Sequence, residues 1–130
     1  MKTTILMAFV ITISIAACTK HANDLEDTRP KATIQVLNPT AGAVFNSNDS
    51  ISIQATAVAT ATVHGYDIIF RKAEDTTKLY FKHIHDHNDT LAINHKWKPG
   101  ISNTSLQMEL VLYLDHDGNT ANKKVNFSVQ

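Results

Sequence analysis

The chain has 130 residues, with 12 basic and 12 acidic side chains, seven histidines and one cysteine, Cys18. Balanced charge supplies no basic field, which argues against DNA or RNA as a partner. A single cysteine excludes an intrachain disulfide, and the length suits one domain with one core.

The chain opens MKTTILMAFVITISIAAC. Lys2 gives a basic start, an apolar run covers Ile5 to Ala17, and small residues stand just before Cys18. That layout predicts an export signal over residues 1–17. Thr12 and Ser14 interrupt the run, which falls short of the ~20 apolar residues that span a bilayer as a helix. No transmembrane helix is expected in the mature chain. The residues IAAC closely resemble a bacterial lipobox, which implies that Cys18 receives lipid and becomes the mature N-terminus. An ordinary secretory signal with an incidental cysteine is the alternative. Thr19 stands where inner-membrane retention signals carry aspartate, so the same resemblance implies an outer-membrane anchor, facing the periplasm or the surface. Removing 17 of the 130 residues leaves 113. Lys2 leaves with them, so 11 basic side chains then face 12 acidic ones.

Residues 18–32 carry the cysteine and a polar stretch, TKHANDLEDTRPKA, that reads as a flexible tether. His21 there is expected to be solvated. From Thr33 the pattern becomes period two. TIQVL alternates over 33–37. SISIQATAVA puts Ile51, Ile53, Ala55 and Ala57 on one face of a strand over 51–59. The alanine-rich part resembles a helix in composition, but its threonines and valine are β-branched and continue the alternation. Further strands are expected over 64–71, 78–85, 91–97, 106–114 and 121–129, with Gly-, Pro-, Asn- and Asp-rich turns between them. Ile53, Ile68, Phe70, Leu110, Leu112 and Phe127 are the expected core. Seven short strands and no long helical pattern predict an all-β, two-sheet sandwich of about seven antiparallel strands over residues 33–130. A small closed barrel is the alternative.

The segments IQVLNPTAGAVFNSNDSISIQATA and YLDHDGNTANKKVNFSV frame this region. They resemble the entry strands and the closing strand-turn-strand of a bacterial immunoglobulin-like domain. The middle of the chain, with its His-rich strand and Trp97, is similar to a group of small Bacteroidetes lipoproteins that carry one such domain. The chain departs from antibody-type domains in lacking paired cysteines, and Trp97 comes too late to be the third-strand tryptophan. The resemblance implies a fold and an envelope address, and leaves function open.

HIHDH, residues 83–87, is the chemical singularity of the chain. In a sandwich of this type the connections near 60–64, 85–90 and 115–120 gather at one end. That would bring His64, His85, His87 and His116 to one rim. Neutral imidazoles suit zinc, copper or nickel, and nearby Asp86, Asp89, Asp115 or Asp117 could complete a shell. His83, lower on the strand, is a further candidate ligand. The bland reading is a polar rim built of turn chemistry. His83, His85 and His87 also continue the face of Leu79 and Phe81, so a shared core face would separate them from solvent. His95, among Leu91, Ile93 and Trp97, reads as a hydrogen-bonded core histidine. Asp115 to Asn119 has some character of a calcium loop but lacks its glutamate and length. Gly118 there is expected to serve a tight turn.

No G-x-S-x-G elbow, phosphate loop or assignable carboxylate pair occurs, so the chain is not expected to be an enzyme. The first expectation is a lipid-anchored envelope module that contacts protein or glycan and uses no cofactor. The second is a lipoprotein that binds Zn or Cu at its histidine-rich end.

Overall fold

The computed structural model describes residues 28–130. The expected signal segment, the lipidation site Cys18 and residues 19–27 lie outside the described residues. Eight strands follow in order: β1 (Ala32–Asn38), β2 (Val44–Phe45), β3 (Ile51–Ala59), β4 (Tyr66–Lys72), β5 (Lys78–Ile84), β6 (Thr90–Trp97), β7 (Thr104–Tyr113) and β8 (Thr120–Val129). They form two sheets, one ordered β1-β3-β6 and the other β2-β8-β7-β4-β5. All neighbours are antiparallel except β2 and β8. The sandwich read from the alternation is present, and each expected core residue is buried.

The period-two pattern explains the layering, because alternate side chains leave a strand on opposite faces. Ile51, Ile53, Leu91 and Ile93 point inward from the smaller sheet. Ile68, Phe70, Leu106, Met108, Leu110, Leu112, Phe127 and Val129 point inward from the larger one. Burying each such side chain contributes about 1.5–3 kcal/mol. Trp97 lies across the core against Phe70, with ring centroids 4.2 Å apart and planes 19° apart. Near Asn38 and Pro39 the chain changes sheets. Pro39 has no N–H to offer β3, so that ladder ends and β2 joins β8 instead.

The structure decides the facing of the fifth strand, which the alternation left open. Phe81 does not lie on the core face, whereas Leu79, at an irregularity in the ladder, still packs against the core. β5 pairs with β4 in a register that sets Tyr80 opposite Phe70 and Ile84 opposite Tyr66. Paired residues share a face, and Tyr66, Ile68 and Phe70 already face the core. Tyr80 and Ile84 therefore pack inward, while Phe81 is 50% exposed. β5 is the edge of the larger sheet, and Lys78 and Lys82 on it are the kind of side chain that blunts an open edge.

The connections after β3, β5 and β7 lie at one end of the sandwich, as expected from the strand order. β1 begins at the same end. Ala32 is registered with Ala59, the Lys31 N–H donates to Thr60 Oγ1, and the Thr60 N–H donates to the Lys31 carbonyl. The connections over 46–50, 73–77 and 98–103 lie at the other end.

Candidate functional site

The loop end brings three of the expected histidines together. His64 comes from the β3–β4 connection, His87 from β5–β6 and His116 from β7–β8. The His64 and His116 rings lie 3.9 Å apart, centroid to centroid, and the His64 and His87 rings 5.8 Å apart. Backbone bonds fix His64: its N–H donates to the Tyr113 carbonyl at 2.8 Å, and Val63 N–H donates to the Asn88 carbonyl at 3.2 Å.

Two carboxylates of this rim, Asp86 and Asp115, are occupied with turn building. Asp86 Oδ1 accepts from the backbone and side-chain amides of Asn88. Asp115 accepts from the backbone N–H groups of Asp117 and Asn119 and from the Asn119 side chain. The Asn119 side-chain donation leads in holding the Asp115 carboxyl below the usual carboxylate range, and the backbone donors and nearby His64 act the same way. Gly118 has φ +88°, the turn conformation expected of it.

His85 does not join this group. It lies with His83 on the outer face of the larger sheet, the two rings 4.6 Å apart and nearly perpendicular. Beneath them is a polar network that the sequence reading did not single out. Asp67 on β4 is 4% exposed and pairs with His83 across the strands. His83 Nδ1 stands 2.6 Å from Asp67 Oδ1, and the Tyr113 hydroxyl donates to Asp67 Oδ2 at 2.6 Å. That donation, then burial, raises the Tyr113 pKa. A carboxylate only accepts, so His83 donates from Nδ1, and in the neutral ring Nε2 keeps a free lone pair.

Gly65 makes the network possible. Its φ is +128°, and a Cβ there would meet the Ile84 carbonyl oxygen at 2.6 Å and His85 Cα at 3.4 Å. With no side chain on Gly65, β5 closes against β4 and the His83 ring packs 3.5 Å from where a Cβ would stand. One cue to this site was present in the sequence. Asp67 is the lone charge in YDIIF, an otherwise apolar strand.

His95 is a hydrogen-bonded histidine facing inward, as expected. Tyr80 Oη lies 2.6 Å from its Nε2, linking β5 to β6 across the sandwich edge. Burial lowers the His95 pKa and raises that of Tyr80, so phenol donates to neutral imidazole. No buried side-chain nitrogen or oxygen among the described residues lacks a partner. No three His, Cys, Asp or Glu side chains among them are already arranged as a metal cage.

No protein-family model matches the chain, and no curated protein matches it in sequence. Its fold is similar to that of solved structures. A fibronectin(III)-like module of Clostridium thermocellum CbhA superposes with a TM-score of 0.51 at 17% identity, covering 75% of this chain and 94% of that one. The CARDB domain of the PF1109 protein from Pyrococcus furiosus, solved in complex with di-metal ions, gives a TM-score of 0.48 at 12% identity, covering 79% and 90%. With β5 paired to β4 and three strands in the opposing sheet, the described residues form an immunoglobulin-like β-sandwich.

Proposed function

We propose that this chain is a non-enzymatic, lipid-anchored module of the bacterial cell envelope, whose sandwich contacts a protein or glycan. The observation that carries this reading is the order of parts along the chain: an export signal ending IAAC, a polar tether, then an immunoglobulin-like domain. The likeness of the signal to a lipobox, with Thr19 after the cysteine, supports an outer-membrane address. The fold suits an interaction module, since its loops and sheet faces can vary over a constant core. Mass spectrometry of the mature chain tests the anchor. Diacylglycerol on the Cys18 thiol and a new N-terminus at Cys18 are expected, and Cys18→Ser should leave the precursor uncleaved. An unmodified Cys18 in the wild-type chain overturns the reading.

A second reading, a zinc- or copper-binding lipoprotein, draws support from the loop end. His64, His87 and His116 approach one another there from three separate connections. Metal titration of chains with and without these histidines tests it.

A further inference from the structure

We propose that His83 and His85 form a binding site for one divalent transition-metal ion, copper(II) or zinc(II), on the outer face of the larger sheet. The proposal deepens the second reading and moves the ion from the loop rim to the sheet face. It does not depend on the lipid anchor.

Three observations carry it. First, His83 is held as metal-bound histidines are held. An imidazole that ligates through one nitrogen commonly donates its other N–H to a carboxylate, which fixes the ring and raises the basicity of the free nitrogen. Asp67 is buried, accepts from His83 Nδ1 at 2.6 Å, and is itself fixed by the Tyr113 hydroxyl. The arrangement leaves His83 Nε2 as a lone-pair donor on a ring that is still 35% exposed.

Second, His85 is two residues along and on the same face. Its ring centroid is 4.6 Å from that of His83. Two imidazoles bound to one ion at metal–nitrogen distances of about 2.0–2.1 Å, with an angle between square and tetrahedral, have centroids roughly 4.5–5.2 Å apart. The pair already has the separation of two ligands on one centre.

Third, the backbone beneath the pair is closely packed. The Ile84 carbonyl, His85 Cα and His83 ring all approach Gly65, and the β4–β5 ladder holds His83 opposite Asp67, with His85 one residue beyond its last pair. The chemistry selects the ion class. Two neutral nitrogen donors favour copper(II) or zinc(II) over calcium or magnesium, which prefer oxygen cages. Two protein ligands leave the other positions to water, so the ion is exchangeable.

The test uses the full chain without a polyhistidine tag, carrying Cys18→Ser so that no thiol competes. Copper(II) alone and zinc(II) alone are titrated by calorimetry, and the copper form is read by electron paramagnetic resonance. One ion per chain with micromolar affinity and hyperfine coupling from two imidazole nitrogens is expected. His85→Ala should abolish this binding with an unchanged circular dichroism spectrum, since it leaves the Asp67 network intact. His83→Ala should do the same. Asp67→Asn should keep the one-to-one ratio and weaken affinity about 10–100-fold. If Asp67→Asn does not fold, the His85→Ala result decides. His64→Ala and His116→Ala should leave affinity unchanged. Binding that survives His85→Ala and His83→Ala overturns the proposal. Loss of binding in the His64 or His116 variants alone overturns it too, while keeping the rim reading alive. Binding no tighter than millimolar in the parent chain overturns both.

Discussion

At the rim, His64, His87 and His116 stand on three separate connections. On the sheet face, His83 stands on a strand laddered to β4, and His85 follows just past that strand's end. The rim histidines meet ring against ring, and Asp86 and Asp115 beside them satisfy their own turns. The face histidines rest on a buried carboxylate that reaches one of them directly. Nearness in space is thus common to both groups, but orientation by a fixed partner belongs to the face. Preorganisation of this kind separates a ligand site from a polar surface. HIHDH itself divides between the two, with His83 and His85 on the face and His87 at the rim.

The largest expected effect strikes the core that both groups share. Leu110 is fully buried, so Leu110→Ala should cost about 2–5 kcal/mol in urea unfolding. A cost below about 0.5 kcal/mol would place β7 in the wrong facing. Gly65→Ala should break the comparison at its joint. Positive φ alone costs about 1–3 kcal/mol, and the clash with the Ile84 carbonyl adds to that. NMR shifts should move on β5 near His83 more than at His116, and the reverse pattern would mean that Gly65 serves the rim. Tyr113→Phe takes one donor from buried Asp67 and should cost about 1–2 kcal/mol. A neutral result would show that water replaces the hydroxyl without loss.

A smaller effect concerns the third kind of histidine, inward-facing His95. Its pKa is lowered by burial, first, and by Lys82. The unfolded chain therefore binds a proton more readily than the folded one. The resulting stability is present above the unfolded value near ~6.5 and declines as pH falls from there toward the lower folded value. His95→Gln should flatten that part of a stability–pH curve measured by urea unfolding, and an unchanged slope would assign it to other groups. The smallest effect belongs to the rim. His116 is exposed, and His116→Ala should change stability by no more than about 0.5 kcal/mol. A larger loss would show that the rim is as firmly built as the face.

Much of the frame was legible in the residues. Leu91, Ile93, Leu106, Met108 and Leu110 alternate so regularly that strand and facing follow together. The strand order then places His64, His87 and His116 at one end. β5 was harder, because KLYFKHI is apolar on both faces: Leu79 and Phe81 on one, Tyr80 and Ile84 on the other. Only its register with β4, and the irregularity at Leu79, decide that Tyr80, Ile84 and Leu79 reach the core and Phe81 does not. Asp67 itself stood out as the lone charge in YDIIF, but its partners were not legible. They stand 16 and 46 positions away in sequence, and no local spacing encodes such a meeting.

The way the chain enters the sandwich sets an orientation. The bonds between Lys31 and Thr60 pin that entry to the end that carries the rim. A chain advances at most ~3.3–3.6 Å per residue, so the 13 steps from Cys18 to Lys31 reach roughly 45 Å at full stretch. With the lipid we propose at Cys18, the leash pulls from the histidine end. His64, His87 and His116 then look back toward the bilayer and its headgroups. The turns over 46–50, 73–77 and 98–103 lie at the end away from that attachment, so a lipid at Cys18 would leave them the more open to a partner.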